Sequence, residues 1–270
     1  MRPRRFAVVG DPVAHSKSPA MHAAAYRALG LPCSYEAVRV TPDELPGMVQ
    51  ALREGRYDGL NVTVPHKQRA LALADDVHAT ARDVGAANTL ARIGDRVVAF
   101  NTDAPALALE LAALASRAWG DGRALVLGRG GAARAALRAL RHDLGAGDVV
   151  VRARGPGPAG SSDQPWGPDP VSEAHTRTVV QATSAGMQGA DPGEAVADAV
   201  AWDALPDDAV VLDVVYAPPD TPFLRAARAR GLRGVNGLGM LARQGALALE
   251  IWLDTPAPLE VMRAALEPGS

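Results

Sequence analysis

One stretch restricts what this chain can fold into more than any other. Ala124–Leu127 is an apolar run of strand length, Gly128-Arg129-Gly130-Gly131-Ala132-Ala133 follows it, and AARAALRALRHDLG continues with helical composition. The turn has the spacing GxGxxA. Its first glycine permits a tight turn, its second lets backbone approach a pyrophosphate, and the small third residue, Ala133, packs helix against sheet. A helix starting there offers free N–H groups and a positive dipole end to phosphate. With Val149–Val151 as the next strand, the segment Arg123–Arg154 reads as a dinucleotide-binding βαβ unit. Arg152-Ala153-Arg154 stands about 24 residues after Gly128, where an acid would bind the ribose of NAD. Two guanidinium groups there favour the additional 2′-phosphate of NADP.

The remainder of the chain also alternates short apolar runs with helical patterns, the signature of an α/β protein. Strands are expected at Phe6–Gly10, Ser34–Val40 and Gly59–Val64, with helices starting near Ser18, Pro42 and His66. Ser18 is expected as N-cap, with Pro19 at the first helical position. A hairpin is expected for Thr89–Ile93 with Val97–Phe100, then a helix from Asp103 to about Arg117. Further strands are expected at Val179–Ala182, Val210–Val215 and Leu232–Val235, and closing helices over 239–254 and from Leu259. Residues 155–170 (GPGPAGSSDQPWGPDP) are rich in Pro, Gly and Ser and read as a mobile loop.

Composition narrows the partners. A formal net charge of −2 over 270 residues gives no reason to expect nucleic acid. No apolar run approaches the roughly 18 residues of a membrane span. The single cysteine, Cys33, allows neither an internal disulfide nor a thiolate metal cluster, so a cytoplasmic location is expected. No metal site is expected. Of the 28 basic residues only Lys17 and Lys67 are lysine. Where Arg supplies the ordinary surface charge, a lysine hints at proton transfer, which guanidinium cannot perform. Both lysines and three of the four asparagines lie in three polar clusters. These are His15-Ser16-Lys17-Ser18, Asn61-Val62-Thr63-Val64-Pro65-His66-Lys67, and Asn88-Thr89 with Asn101-Thr102-Asp103. Such hydroxyls and amides suit a polyhydroxylated substrate. His15 and His66 read as loop-capping residues.

The order and spacing of these motifs, nearly end to end, resemble the shikimate dehydrogenase family. GDPVAHSKSPAMH, NVTVPHK, GAANT with NTD, GRGGAARA, ATSAGM, DVVYAPPDTPFL and GLGMLARQGALALEIW carry the resemblance. It implies an N-terminal α/β substrate domain, residues 1–103 with 238–270, and a Rossmann-type domain, 104–237, the C-terminal helices returning to the first. It implies reversible NADPH-dependent reduction of 3-dehydroshikimate to shikimate. Lys67 and Asp103 would be the catalytic pair. Ser16, Ser18, Asn61, Thr63, Asn88, Tyr216 and Gln244 would bind substrate. Gly128, Arg129, Gly130, Gly131, Ala132, Arg152, Arg154, Thr183, Val214, Gly237 and Met240 would bind NADP, with NAD as the alternative cofactor. Partners would be the small-molecule substrate alone, in a monomer or homodimer. A quinate or aminoshikimate dehydrogenase, or a binding protein without activity, are the alternative readings. The chain departs from the family pattern at Arg129, at Arg152-Ala153-Arg154 (usually Asn-Arg-Thr), at Ala104 and at Gln181.

Overall fold

In the computed structural model, which describes residues 3–115, 119, 122–155 and 163–267, the chain divides into two compact units. One is Met1–Ala106 with Leu241–Ser270, the other Leu107–Met240. The elements run β1 (Arg4–Gly10), α1 (Ser18–Ala28), β2 (Cys33–Arg39), α2 (Leu45–Arg53), β3 (Gly59–Val62), α3 (Lys67–Leu73), β4 (Asp76–Val77), α4 (Ala79–Val84), β5 (Thr89–Ile93), β6 (Arg96–Phe100) and α5 (Asp103–Leu114). They continue as β7 (Arg123–Leu127), α6 (Gly131–Arg138), β8 (Asp148–Arg152), α7 (Pro170–Glu173), β9 (Thr176–Gln181), α8 (Glu194–Ala197), β10 (Val210–Asp213), α9 (Pro222–Ala229), β11 (Arg233–Val235), α10 (Leu238–Leu253) and α11 (Leu259–Ala264).

The first unit carries a mixed sheet in the order β2-β1-β3-β5-β6-β4. β1 is parallel to β2 and β3, while β3–β5 and β5–β6 are antiparallel. Side chains alternate across a strand, so β1 serves both faces. Ala7 and Val9 join Leu45, Val49, Leu52, Leu60 and Leu90 on one side. Phe6 stacks on Trp252 of α10 at 4.8 Å on the other. The C-terminal helices thus belong to this unit's core, and Lys17 ties them down by donating from Nζ to the Leu266 carbonyl at 2.9 Å. That rare lysine is an anchor.

The second unit is a five-stranded sheet, β11-β10-β9-β7-β8, parallel at every pairing. Leu125, Leu127, Val179, Val211, Phe223, Leu224 and Ala227 form one of its buried layers. A fully buried Leu or Phe contributes about 1.5–3 kcal/mol each, which is why these near-continuous apolar strands sit between helices. The chain leaves β7 for β8 on one side and returns to β9 on the other. A ligand site in such a sheet forms where that reversal occurs, beyond the carboxyl ends of the strands.

Several boundaries shift for identifiable reasons. α2 starts at Leu45 rather than near Pro42, because the Glu44 carboxylate accepts from both the N–H and the hydroxyl of Thr41 at 2.8 Å, closing a turn first. Ser18 is the first residue of α1, not its N-cap, and the helix start has no side-chain capping bond; Ser18 is buried. β10 stops at Asp213, whose Oδ1 takes the Val215 N–H at 2.9 Å. The expected loop over 155–170 is not irregular throughout. Gln164 N–H bonds the Val151 carbonyl at 2.8 Å, and Asp169 caps α7. Residues 156–162 and the expected helix end at Arg117 lie outside the described residues. No described helix is long and apolar enough to cross a membrane.

Candidate active site

In the first unit the second and third polar clusters converge on one carboxylate, that of Asp103. Asp103 opens α5, and Asn101 precedes it with its Oδ1 accepting the Ala104 N–H at 3.1 Å. Lys67 opens α3, and its own carbonyl accepts the Ala87 N–H at 2.8 Å, linking it to the segment leading into β5. Lys67 Nζ lies 2.7 Å from Asp103 Oδ2. The other carboxylate oxygen, Oδ1, accepts from Asn88 Nδ2 at 2.8 Å. Side-chain exposure is 20% for Lys67 and 7% for Asp103. The pair is therefore shielded, with part of the Lys67 side chain still exposed.

Asn88 is oriented from every side. Its Oδ1 accepts from the Thr102 N–H at 2.8 Å and the Thr89 hydroxyl at 3.1 Å. Its Nδ2 also donates to Thr102 Oγ1 at 2.9 Å and reaches Gln244 Oε1 at 3.4 Å. Gln244, on α10, therefore joins the cluster that Asn88 and Asp103 form. Asn61 stands one strand away, donating to Thr89 Oγ1 at 3.0 Å and the Asn88 carbonyl at 3.2 Å. Its Oδ1 takes the Tyr35 hydroxyl at 2.7 Å, so both of its polar ends are occupied. Asn61 positions the cluster. Thr89 and Thr102 belong to the third polar cluster named from sequence, whereas Tyr35 was not named there. Only the packing of β2 brings Tyr35 onto Asn61, and no motif signals that.

Ser16 is half-buried in the loop before α1, its Oγ accepting the Ser18 N–H at 3.3 Å. Thr63 follows β3 and stands over Gly10. A Cβ at Gly10 would come within 2.3 Å of Thr63 Cγ2, so the glycine is what admits Thr63 there. His66 is buried with Nε2 2.6 Å from the Val40 carbonyl, and His15 is exposed. Tyr216 belongs to the second unit, beyond β10, where burial raises its phenol above the ordinary range.

The second unit presents the glycine turn at the reversal of strand order. Gly128 has φ +113°, and its N–H bonds the Arg152 carbonyl at 2.9 Å. A Cβ there would meet the Ala182 carbonyl oxygen at 3.0 Å. At Gly130 an added Cβ meets nothing within 4 Å, which leaves open space above the turn. Gly131 and Ala132 begin α6, whose first N–H groups have no intrahelical acceptor, and Ala133 is buried. This is the cradle a pyrophosphate needs. Thr183 lies just past β9, held by Gln181, whose Oε1 accepts its N–H and whose Nε2 donates to the Ala185 carbonyl at 2.9 Å. Val214 N–H bonds the Gln181 carbonyl at 3.0 Å, and Gly237 N–H the Val215 carbonyl at 3.2 Å. Met240 is buried in the first turn of α10. The turn, Thr183 and Val214 thus gather at the carboxyl ends of β7, β9 and β10.

Arg152 needs correction as a phosphate ligand. It is fully buried and ion-paired to Glu173 at 2.6 Å, with Nη1 also donating to the Ala199 carbonyl at 2.7 Å and Nη2 to Gln164 at 2.8 Å. The guanidinium points inward because a buried carboxylate awaits it, and Glu173 carries no recognisable sequence signal. Arg154 remains half-exposed, pairing with Asp191 at 3.0 Å. Among the described residues no cluster of His, Cys, Asp and Glu could hold a metal ion.

Comparison with known proteins places this geometry. Residues 8–90 match the model of the shikimate dehydrogenase substrate binding domain, and 237–267 that of the shikimate 5′-dehydrogenase C-terminal domain. A shikimate dehydrogenase (NADP(+)) of Methylobacterium radiotolerans is 42% identical, covering 95% of this chain and 93% of that one. The chain belongs to the shikimate dehydrogenase family. A Thermus thermophilus member is 43% identical over 95% of this chain and 96% of its own length. The structure of shikimate 5-dehydrogenase from Thermus thermophilus, in complex with NADP(H) and shikimate, matches with TM-score 0.84 and 39% identity, covering 97% and 98% of the two chains. Members of this family carry the fold found here, a mixed-sheet unit together with a parallel-sheet unit.

Proposed function

We propose that this protein is an NADP-dependent shikimate dehydrogenase, an oxidoreductase that interconverts 3-dehydroshikimate and shikimate. The observation that carries the reading is the shielded Lys67–Asp103 pair at 2.7 Å, held from behind by Asn88. When bound, NADPH supplies a hydride to the ring carbonyl. The developing alkoxide needs a nearby cation and a proton. Lys67 Nζ answers both needs. Asp103 accepts from Lys67 on one oxygen and from Asn88 on the other, so it aims the ammonium and holds it through the transfer. In the oxidative direction the same pair withdraws the hydroxyl proton. Ser16 and Ser18 bind the carboxylate, while Thr63, Asn88, Asp103 and Gln244 hold ring hydroxyls and Tyr216 completes the set. Asn61 acts from behind, through Asn88 and Thr89. Gly128, Gly130, Gly131, Ala132, Thr183, Val214, Gly237 and Met240 hold the dinucleotide. The partners are this substrate and cofactor, without nucleic acid, in a cytoplasmic monomer or homodimer.

Steady-state rates with shikimate and with quinate, each with NADP⁺ and NAD⁺, test the reading. The highest kcat/KM belongs to shikimate with NADP⁺; no turnover in any of the four combinations overturns it. Lys67→Ala should lower kcat by about 10²–10⁴-fold with KM for shikimate changed severalfold at most. Near-full turnover in that variant would remove Lys67 from the mechanism.

A further inference from the structure

The carboxyl end of β8 is where a sheet of this kind meets the ribose 2′ position. Here that end is unusual. Arg152 is consumed by Glu173 in the interior, and Ala153 is buried and apolar. Two other guanidinium groups flank the strand end. Arg129 extends from the glycine turn to Asp163, with Nε at 2.9 Å and Nη2 at 2.6 Å from the same carboxylate oxygen. Asp163 precedes Gln164, which bridges to Arg152 and bonds the Val151 carbonyl, so the segment carrying this carboxylate runs beside the end of β8. Arg154 lies two residues beyond the strand, 5.7 Å over the Trp166 ring and paired with Asp191.

A carboxylate on a guanidinium has the same fork chemistry as a phosphate on a guanidinium. Asp163 is only 16% exposed and Arg129 32%, so their contact is stronger than that of an open surface pair. If Asp163 stayed in place, it would repel an arriving phosphate. We propose that Asp163 is an internal stand-in for the 2′-phosphate of NADP and sets the choice between NADP and NAD. Without a 2′-phosphate it holds Arg129; NADP displaces it and takes over the guanidinium, with Arg154 as the second cation. This rests on the dinucleotide reading above. It moves 2′-phosphate recognition off the Arg152-Ala153 positions and onto the glycine turn.

Binding constants from calorimetric titration with NADP⁺, NAD⁺ and adenosine 2′,5′-bisphosphate test it in the wild type, Asp163→Asn and Arg129→Gln. Asp163→Asn should tighten NADP⁺ and the bisphosphate about tenfold while NAD⁺ stays within twofold, which also shows that the variant is folded. Arg129→Gln should weaken NADP⁺ at least tenfold, bringing it toward the NAD⁺ value. Unchanged NADP⁺ affinity in Asp163→Asn, or an equal change for both dinucleotides, overturns the proposal while leaving the dinucleotide site intact. A wild type that binds neither dinucleotide overturns the enzyme reading itself.

Discussion

Arg152 and Lys67 show how little residue type alone decides. Both are cations next to a carboxylate, yet Arg152 has no exposed surface and the Lys67 side chain is 20% exposed. A buried pair adds little net stability, but removing one partner strands the other charge. Arg152→Met should therefore cost about 3–5 kcal/mol, read as a lowered urea midpoint. Adding Glu173→Leu to it should recover most of that loss. A midpoint unchanged by Arg152→Met would mean that Glu173 does not depend on the pair. Lys17 was the other lysine that the Arg-rich composition made conspicuous, and it is spent on the Leu266 carbonyl. Scarcity pointed to both lysines; only their contacts separate the proposed proton carrier from an anchor.

At the scale of elements, the turn between β7 and α6 holds two glycines with different jobs. Gly128 is in the left-handed region and touches the β9 exit, whereas Gly130 has ordinary φ −74° and faces open space. Gly128→Ala should lower stability by about 1–3 kcal/mol, measured as a shift in thermal midpoint. Gly130→Ala should leave the midpoint in place and weaken NADP⁺ binding at least tenfold in calorimetry, because its methyl would fill the open space proposed for the pyrophosphate. Equal thermal midpoints in the two variants would contradict this division. Both glycines were legible as a GxGxxA spacing after a strand. That Gly128 is also packed against the chain leaving β9 was not, since β9 comes some fifty residues later and no local pattern reports which strand will lie beside β7.

Across the whole molecule, two buried titratable groups set opposite pH responses. His22 is fully buried, stacked on Tyr35 at 4.1 Å, with no hydrogen-bond partner for either ring nitrogen among the described residues. Burial lowers its pKa from 6.5 to about 3. A base with a depressed folded pKa contributes its stability above pH 6.5 and loses it as pH falls toward 3, a span worth about 5 kcal/mol. Asp213 behaves the other way. Burial raises its pKa to about 6, against the opposing bonds from Thr221 and Val215. Its contribution is full below pH 3.8 and is lost as pH rises through 6, about 3 kcal/mol in all. Urea midpoints from pH 4 to 7 should show a flatter acid side for His22→Phe than for wild type. Asp213→Asn should instead gain most at pH 7. Parallel profiles for wild type and either variant would exclude that group.

Sequence alone determined the alternation of strands and helices, the dinucleotide turn and the identity of the polar cluster residues. Each of these is written in local spacing: glycines at fixed offsets, apolar runs bounded by caps, short motifs in a set order. Only the tertiary structure decided which charges are usable. Arg152 looked like a phosphate ligand by its place at the end of β8, and Glu173, 21 residues away in sequence, turned it inward. Asp163, in a stretch that composition marks as loop, instead stands on Arg129. Whether an arginine meets a ligand or a carboxylate depends on contacts between segments far apart in sequence, and the free energy of burying a charge is set by those contacts rather than by the residue's neighbours along the chain.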